Sequence, residues 1–381
     1  MIKILHLITD LDTGGAEMML YKLLAGMDSS RFNNIVVSMT DVGIIGKQIK
    51  DLGVSVIDLN MRRGVPNPAG LLKLRQILRE EHPDILQTWL YHADLLGLLT
   101  GKTAGVSKII WNLRCSDIDL DQYSKLTALV VKTCTRLSRY TDVVIANSHA
   151  GLEFHRSLGY KPPMWSVIPN GFDLEKFRPN QEARDKIRRE LGREESDMII
   201  GLVARYDPMK DHVTFINAAK RMVDRSGFNN LYFLLVGHEI DDNNVELTET
   251  IAKAGLTQRF HLLGQRTDIP DIVAALDLFM LSSSSEGFPN VVGEAMACGV
   301  PCTVTNSGDS EMIVGNTGKV VPIKDPEALA NAALEIIRMD LQERRKLGCD
   351  ARYRIEQNYS IKSIIGQYED LYREAAVNVR H

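Results

Sequence analysis

The stretch Glu286-Gly-Phe-Pro-Asn-Val-Val-Gly-Glu294 follows an apolar run, ending at Leu281, that has the character of a buried strand. The short serine-rich loop between them would lie at the carboxyl end of that strand, where open α/β sheets bind their ligands. Pro289 suits the first turn of a helix, and the amides after it, with the helix dipole, favour an anion such as phosphate. Asn290 and Glu294 share one helix face, where a carboxylate can accept hydrogen bonds from a ribose diol. The stretch therefore predicts an α/β sheet whose edge binds phosphate and sugar hydroxyls together.

Outward from this stretch, apolar strands alternate with helices, which predicts mostly parallel sheets covered on both faces. In the first half of the chain the predicted strands are Ile2–Ile8, Asn34–Met39, Val54–Leu59, Asp84–Thr88, Lys108–Leu113, Asp142–Ser148 and Ser166–Ile168. The predicted helices of this half are Glu17–Met27, Leu71–Glu81 and Ala93–Ala104. This half is therefore expected to form one doubly wound domain.

The alternation restarts after a segment rich in proline and glycine, Pro162 to Asp173, which has the composition of a domain boundary. The predicted strands that follow are Ile199–Ala204, Leu231–Val236, His261–Gly264, Leu278–Leu281, Pro301–Thr305 and Lys319–Pro322. The predicted helices are Asp211–Arg225, Pro326–Met339, Leu341–Gln357 and Ser360–Ala376. A chain of 381 residues has the length of two domains. We therefore predict two doubly wound α/β domains, residues 1–168 and 169–359.

Composition excludes some functions. The net charge of −4 gives no general electrostatic case for binding nucleic acid. The five cysteines lack Cys-x-x-Cys spacing, which indicates free thiols in a reducing cytoplasm. The first residues do not have the pattern of a signal peptide, and no apolar run reaches the ~18–20 residues that span a bilayer. We expect a cytoplasmic protein whose membrane contact, if it has any, is peripheral.

The wording around the two glutamates, Ser-Ser-Ser-Glu-Gly-Phe-Pro-Asn followed by Glu-Ala-Met-Ala-Cys-Gly-Val-Pro, resembles the E-x7-E motif of the retaining family 4 glycosyltransferases. The resemblance implies the GT-B architecture, in which two doubly wound domains face an interdomain cleft. It also implies that the last helix crosses back onto the first domain, so residues 360–381 are assigned there. It implies a catalytic role for Glu286, and the donor-binding residues that it implies in this stretch are Gly287, Phe288, Pro289, Asn290, Val291 and Glu294. Among these, Glu294 is expected to hold the ribose and Glu286 to orient the sugar or the phosphates.

Arg205 and Lys210 follow the predicted strand Ile199–Ala204 and precede a helix. Two cations fixed at a strand's carboxyl end suit a diphosphate that gains charge as it departs. They also match the Arg-x4-Lys motif that binds the donor diphosphate in the resembling family. Alone, such a pair is most often a solvated surface pair. With the Glu286 motif in the same half of the chain, we favour the functional interpretation.

Four further residues are candidates in the first half of the chain. Gly14 and Gly15 allow the backbone to approach a ligand where a helix begins, and they match a Gly-Gly-x-Glu loop of the family. His92 follows a strand, as does a histidine of the family that contacts the transferred sugar. Arg114 also follows a strand and could bind an anionic acceptor. The alternatives are a plain strand-to-helix turn, a structural histidine and a structural salt bridge, respectively.

In the second half, Arg266 follows His261-Leu-Leu-Gly264, where the family contacts the nucleotide base. Three Asp-x-Asp pairs, Asp10/Asp12, Asp117/Asp119 and Asp119/Asp121, look like the metal motif of the other major glycosyltransferase fold. The βα layout argues against that interpretation, because Arg205 and Lys210 already supply the neutralising charge. We expect no metal and no other cofactor.

The sequence thus predicts a retaining glycosyltransferase that takes a nucleotide-diphosphate sugar and a glycan or lipid-linked acceptor, in the synthesis of cell-surface polysaccharide or lipopolysaccharide. A sugar-nucleotide epimerase or a phosphorylase of the same architecture stays open, as does a non-catalytic partner that only binds nucleotide sugar. A basic amphipathic segment, from Lys125 to Tyr140, could rest on an anionic membrane or pack on the core with a solvated edge.

Overall fold

The computed structural model describes residues 1–62, 67–114 and 125–377. The chain divides into two compact units, Met1–Gly171 together with the chain from Ile361 onward, and Phe172–Ser360. The first boundary lies at residue 171, against 168 expected from the sequence, and the second lies at residue 360, against 359. Each unit has its own buried core and is described by itself.

The first unit contains a sheet of seven strands in the order β3-β2-β1-β4-β5-β6-β7. The strands are β1 Ile2–Ile8, β2 Phe32–Ser38, β3 Ser55–Asp58, β4 Ile85–Trp89, β5 Lys108–Leu113, β6 Val143–Ala146 and β7 Trp165–Val167. All the pairings are parallel. The chain moves from β1 outward to β3 and then returns to the other side of β1, so the order reverses between β1 and β4. The carboxyl ends of these two strands form the topological switch point of this sheet.

The helices that connect these strands are α1 Gly15–Gly26, α2 Gly43–Asp51, α3 Pro68–Glu81, α4 Tyr91–Ala104, α5 Lys125–Leu137 and α6 His149–Ser157. The expected strand Asp142–Ser148 is shorter than predicted, because Ser148 caps α6. The Ser148 hydroxyl accepts a hydrogen bond from the Gly151 amide at 2.9 Å, which a residue within a strand would not do.

The second unit contains a sheet of six parallel strands in the order β10-β9-β8-β11-β12-β13. The strands are β8 Met198–Val203, β9 Leu231–Val236, β10 Phe260–Leu262, β11 Leu278–Leu281, β12 Cys302–Thr305 and β13 Gly318–Val321. The helices are α7 Gln181–Glu190, α8 His212–Ser226, α9 Val245–Lys253, α10 Ile269–Ala274, α11 Asn290–Ala297, α12 Ser310–Val314, α13 Pro326–Ile337 and α14 Leu341–Asn358. Here the switch point lies between β8 and β11.

The last described helix, α15 Ile361–Val377, packs on the sheet of the first unit. The Tyr372 hydroxyl donates to Gln87 Oε1 of β4 at 2.5 Å, and Asn112 of β5 donates to the Tyr368 hydroxyl at 2.9 Å. A Cβ on Gly26 would lie 2.3 Å from Ile365 Cδ1, so the helix lies directly against α1. Although it is remote in sequence, α15 is therefore part of the core of the first unit. No helix within the described part of the chain is both long enough and apolar enough to cross a membrane.

Candidate functional site

The candidate site of the second unit lies where β8 and β11 end. These strands are parallel neighbours, with Leu278 paired to Ile200. The chain leaves β8 towards β9 on one side, whereas β11 lies on the other. The loops that follow β8 and β11 therefore emerge together at the carboxyl edge, which is where doubly wound sheets bind ligands.

An ion pair joins these two loops. Lys210 Nζ lies 2.6 Å from Glu286 Oε1, and the two side chains are only 19% and 10% exposed. The Ser283 hydroxyl donates to the same carboxylate oxygen at 2.6 Å. Charge-assisted hydrogen bonds of this length are strong in a partly desolvated site. The ammonium and the carboxylate are therefore held in fixed positions at the switch point.

Further hydrogen bonds fix the backbone of the two loops that carry Lys210 and Glu286. The Ser282 hydroxyl donates to the Lys210 carbonyl at 2.8 Å, and the Ser284 amide donates to the Met209 carbonyl at 2.8 Å. The Thr305 hydroxyl, at the end of β12, donates to the Ser283 carbonyl at 2.6 Å. Three adjacent strand ends are thereby linked at the place where the ion pair forms.

Arg205 lies in the same loop as Lys210 but is more exposed, at 57%. Its guanidinium donates to Asp207 Oδ2 from Nε at 2.9 Å and from NH2 at 2.7 Å. Partial burial raises the pKa of Asp207, but the Met209 amide, the Arg205 guanidinium and the nearby Lys210 outweigh this effect and bring the pKa below its ordinary value. Asp207 thus stays ionised and holds Arg205 beside the short helical turn that carries Lys210.

The loop after β12 packs against the backbone of Glu286 and Gly287. The Asp309 amide donates to the Gly287 carbonyl at 2.8 Å. Gly308 has φ +57°, and a Cβ there would lie 2.4 Å from the Gly287 carbonyl oxygen and 2.6 Å from that of Glu286. Because such contacts are too short for any side chain, only glycine permits this close approach.

Helix α11 begins at Asn290, and Pro289 precedes it as the N-cap residue, with φ −73°. The expectation that Pro289 lies within the first turn was therefore wrong by one position, because its ψ of 91° is extended. Pro289 offers no side-chain cap to the helix. Amides of a first helical turn, such as that of Val291, have no intrahelical acceptor and can bind an anion.

Phe288 is buried against aromatic rings of the same unit. Its ring stacks on Phe172 at 6.0 Å between centroids and contacts Tyr359 at 5.9 Å. A Cβ on Gly293 would lie 2.1 Å from the Phe172 ring, so α11 sits close to it. The Phe288 side chain therefore anchors the loop in the core. Only the backbone of Phe288 is then available to contact a ligand.

Glu294 is half-buried on α11, one helical turn after the exposed Asn290. Its carboxylate lies near Cys298, where burial first and the neighbouring negative charge second raise the pKa of the thiol to about 12. Glu294 thus lies on the same helix as the predicted anion site, as a residue that holds a ribose would. This role is consistent with its place but stays a prediction.

Arg266, the predicted base contact, is already held by two carboxylates. Its guanidinium lies 2.5 Å from Glu190 and 2.7 Å from Asp268. These hydrogen bonds raise the pKa of the arginine further above its ordinary value. The predicted contact through its side chain would have to compete with both partners.

The other predicted residues belong to the first unit. Gly14 is the N-cap of α1, and a Cβ there would lie 2.1 Å from Oε2 of Glu17, whose side chain is buried. Gly15 begins the helix, with no atom within 4 Å of a Cβ built on it. The Gly-Gly turn therefore leaves room at the carboxyl end of β1 while Glu17 folds back over Gly14.

His92 and Arg114 have different surroundings. His92, on the first turn of α4, is half-buried, its Nε2 lies 3.4 Å from the Thr127 hydroxyl, and burial lowers its pKa. Arg114 is hydrogen-bonded to Asn170 and lies over the Trp89 ring, 5.7 Å from its centroid. Arg114 thus has structural contacts within its own unit, in line with the structural alternative, although with different partners from the expected salt bridge. Its role in acceptor binding stays a prediction.

The sequence did not single out Ser283, Asp207 or Gly308. Nothing distinguishes Ser283 within a run of four serines, from Ser282 to Ser285. Asp207 is two residues from Arg205, a spacing at which a carboxylate can reach a guanidinium and cap a turn. Gly308 lies in Asn306-Ser-Gly-Asp309, whose composition indicates a turn but not its contact with the Glu286 loop.

Among the described residues, no group of three or more His, Cys, Asp or Glu side chains is arranged to hold a metal ion. The Asp117/Asp119 and Asp119/Asp121 pairs lie outside the described residues, as does Cys115. The other four cysteines, Cys134, Cys298, Cys302 and Cys349, are free thiols, as expected.

Two family models match the chain, each over a different part of it. Residues 13–176 match the model described as Glycosyltransferase Family 4, and residues 197–339 match the model described as Glycosyl transferases group 1. The matches thus fall on both units, and the second contains the Lys210–Glu286 pair.

Similar proteins are known for the whole chain. UDP-Gal:alpha-D-GlcNAc-diphosphoundecaprenol alpha-1,3-galactosyltransferase of Escherichia coli is 28% identical over 317 residues, which cover 81% of this chain and 80% of the relative. N,N'-diacetylbacillosaminyl-diphospho-undecaprenol alpha-1,3-N-acetylgalactosaminyltransferase of Campylobacter jejuni is 25% identical, covering 87% of this chain and 89% of the relative. The structure of Anabaena HepE in complex with UDP superimposes with a TM-score of 0.82 at 24% identity, over 98% of this chain and 100% of that one. The expected GT-B fold, with two doubly wound parallel sheets, is thereby confirmed.

Proposed function

The chain belongs to the group 1, family 4 glycosyltransferases, and we propose that it is a retaining enzyme that transfers a sugar from a nucleotide-diphosphate donor to a hydroxyl of a glycan or lipid-linked acceptor. The family expected from Glu286 and Glu294 is thus confirmed. The donor, the stereochemistry and the acceptor are the proposed parts.

The observation that carries the proposal is the Lys210–Glu286 pair at the switch point of the second sheet. Glu286 fixes the Lys210 ammonium at the strand edge, and the loop that carries Glu286 leads into α11, whose first-turn amides favour an anion. Arg205 lies in the same loop and adds a second cation. Such a site is suited to a diphosphate, whose negative charge grows while its bond to the sugar breaks.

In the proposed reaction the bond between the anomeric carbon and the diphosphate oxygen breaks, and the acceptor oxygen bonds to the same carbon. The electron pair of the broken bond stays on the diphosphate, where Lys210, Arg205 and the α11 amides stabilise it. The proton of the acceptor hydroxyl passes to the departing phosphate, as the family resemblance implies. Glu294 holds the ribose, Glu286 orients the donor, and no nucleophile of the protein is required.

The acceptor is proposed from the relatives. The Escherichia coli and Campylobacter jejuni proteins are both named for acceptors on a diphosphate-linked undecaprenol. A lipid-linked acceptor for this chain would place it in the assembly of cell-surface polysaccharide or lipopolysaccharide. Such an acceptor would bring the protein to the cytoplasmic face of a membrane as a peripheral protein.

We also propose that transfer is independent of metal ions. Arg205 and Lys210 provide two positive charges at the diphosphate site, which is the role that a bound magnesium ion would otherwise fill. Turnover that is unchanged after treatment with a chelator supports this, and loss of turnover that magnesium restores contradicts it.

The test begins with the protein and a panel of nucleotide sugars. A donor that binds the folded protein raises its apparent stability in thermal-shift measurements. Release of the nucleoside diphosphate is then measured with the selected donor and a mixture of membrane glycolipids. Nuclear magnetic resonance of the product gives the anomeric configuration, which must match that of the donor.

Other outcomes separate the alternatives. Conversion of the donor without any acceptor indicates an epimerase, and a requirement for inorganic phosphate indicates a phosphorylase. Donor binding with no release of nucleoside diphosphate, for every acceptor tried, indicates a non-catalytic partner. An inverted product refutes the retaining mechanism while leaving the transferase assignment intact.

A further inference from the structure

The first unit contains a cavity of about 570 Å³ at the carboxyl edge of its sheet. Three helices, α3, α4 and α5, supply its apolar wall, through Leu71, Leu95, Leu96, Leu99, Leu126 and Val130. This volume is within the ~300–1,000 Å³ range of small-molecule sites. We call it the apolar groove.

The sequence of α4 explains why the groove forms. On one face of the helix, Gly97 and Gly101 let it lie close to the sheet, because a Cβ on Gly97 would lie 2.4 Å from Thr88 Cγ2. On the other face, His92, Leu95 and Leu99 recur at helical spacing and line the groove. The close approach on one side thus leaves a partly exposed leucine stripe on the other.

The floor of the groove is polar. Thr9 and Asp10 follow β1, Thr40 follows β2, and His92 follows β4, so the floor includes the switch point between β1 and β4. The buried Thr9 hydroxyl has no hydrogen-bond partner among the described residues. Burial lowers the pKa of His92, so its imidazole is neutral at pH 7 and can both donate and accept. The floor therefore suits hydroxyl groups, while the walls suit hydrocarbon.

The rim combines apolar side chains with a cation, Arg62. Leu99 is 50% exposed and Leu126 is 37% exposed, and Arg62 also lines the groove. On α5, Lys125, Lys132 and Arg136 are exposed. They recur with Leu129, which is 61% exposed, at intervals of three or four residues on one helix face. This face points away from Leu126 and Val130, which line the groove, so among the described residues Arg62 is the cation that lines it.

We propose that the apolar groove binds the hydrocarbon chain of an isoprenoid-diphosphate-linked acceptor, with the sugar hydroxyls of the acceptor at the polar floor. The inference rests on the proposed function, and it selects the lipid-linked class from the two acceptor classes named there. A single apolar stripe along α4 fits one chain, which favours a single isoprenoid over the paired chains of a phospholipid. Arg62, which lines the groove, is then available to the diphosphate.

Burial of hydrocarbon gives a measurable signature. Because burial of each additional CH₂ is favourable, a ligand with three isoprene units should bind far more tightly than its headgroup alone. The binding should also have a negative heat-capacity change, which burial of apolar surface produces.

The probes are farnesyl diphosphate, inorganic diphosphate and phosphatidylglycerol vesicles, each titrated into the full chain by calorimetry at two temperatures. The variant Leu99→Asp places a charge on the groove wall. Leu72→Asp is the matched control, because Leu72 is a 67% exposed leucine of α3 that does not line the groove. Both leucines are exposed enough for the variants to fold, which circular dichroism checks.

The expected result is farnesyl diphosphate binding at least tenfold more tightly than inorganic diphosphate, with a negative heat-capacity change. Leu99→Asp should weaken the binding of farnesyl diphosphate at least tenfold, and Leu72→Asp should change its affinity less than twofold. Equal binding of the two diphosphates, or equal effects of the two substitutions, overturns the proposal. A Leu99→Asp variant that loses only vesicle binding also overturns it, because the groove would then contact the bilayer surface.

The proposed function is tested separately in the same samples. The predicted ribose and diphosphate contacts, Glu294, Lys210 and Arg205, belong to the second unit, so the variant of Leu99 should keep the thermal shift produced by the donor. If Leu99→Asp keeps the thermal shift with the donor and binds farnesyl diphosphate as tightly as the wild type, only the groove proposal is overturned. A wild-type protein that binds no nucleotide sugar instead overturns the proposed function, whatever the groove binds.

Discussion

The substitution Lys210→Met tests whether the ammonium of the ion pair stabilises the departing diphosphate. Methionine keeps much of the length of the side chain and removes only the charge and its hydrogen bonds. The variant leaves Glu286 with Ser283 as its described hydrogen-bond donor, at 2.6 Å. Its effects on stability and on catalysis can be predicted separately.

For stability, the 2.6 Å separation corresponds to a gross attraction of about 6 kcal/mol at an effective dielectric constant of about 20. Desolvation offsets much of this attraction. Loss of one partner of a fully buried pair costs about 3–5 kcal/mol. Since Lys210 retains 19% exposure and water can reach the site, we expect a smaller loss, of about 1–3 kcal/mol.

For catalysis, loss of one positioned charge-stabilising donor typically lowers kcat by about 10²–10³-fold, or about 3–4 kcal/mol. The diphosphate of the bound donor carries less charge than the departing one, so KM for the donor should change only a few-fold. The assay is nucleoside diphosphate release, at a temperature where circular dichroism shows the variant folded. Lys220→Met is the matched control, because Lys220 pairs with Asp224 on the exposed surface of α8 and should have no role in turnover.

A folded Lys210→Met variant with kcat within about threefold of the wild type would refute the assignment. A KM that rises as much as kcat/KM falls, with kcat unchanged, would show that Lys210 only binds the donor. Glu286→Gln and the double variant complete a double-mutant cycle with Lys210→Met. Glutamine keeps an acceptor for Lys210 and removes the negative charge. If the ion pair acts as one unit, the double variant should lose much less than the two single variants predict together.

Three further predictions concern other parts of the structure. Glu294→Ala should raise the donor KM about tenfold with a smaller change in kcat, and an unchanged KM would remove its ribose role. Gly308→Ala should reduce activity and stability more than Gly255→Ala in urea titrations, because both glycines have positive φ but only Gly308 would place a Cβ against the backbone that carries Glu286; equal losses contradict this. Burial lowers the pKa of His6 and His212 to about 4 from 6.5, so their contribution to stability is full above pH 6.5 and is lost as the pH falls towards 4. Each histidine should cost about 2 kcal/mol of unfolding free energy between pH 7 and pH 5, and a His6→Gln variant that loses as much as the wild type over this range contradicts the assignment.

Most strands and the long helices follow from local pattern, because each carries enough apolar residues to show a period. The overlooked helices are those with few buried positions. In α7 only Ala183, Ile187 and Arg188 are buried, and in α9 only Leu247 and Ile251 are. Two or three buried positions in an otherwise polar segment are too few to define a helical period. Their helical conformation depends on packing against the rest of the unit.

The site itself was predicted in part. Sequence pattern identified Lys210 and Glu286 separately, each at the end of an apolar strand. It could not show that they touch, because they are 76 residues apart and their contact depends on β8 and β11 being neighbours. That adjacency is a property of the strand order, which no local pattern encodes. The support from Gly308 depends on the same order, since β12 must lie next to β11.

The Lys210–Glu286 pair raises the question of why a diphosphate site should hold a carboxylate against its principal cation. An ammonium has three donors, and one hydrogen bond to Glu286 leaves capacity for a phosphate oxygen. The carboxylate reduces the net positive charge of the empty site, which weakens donor binding in the ground state. In return it fixes the position of a flexible side chain before the donor arrives, so no rotamer entropy is lost during the reaction. As the diphosphate gains charge, its attraction to the ammonium and its repulsion from Glu286 both grow, and the attraction grows more where a phosphate oxygen contacts the ammonium and lies farther from the carboxylate. In the proposed reaction the pair would therefore lower the affinity for the bound donor and stabilise the departing diphosphate, which is the interaction that would accelerate transfer.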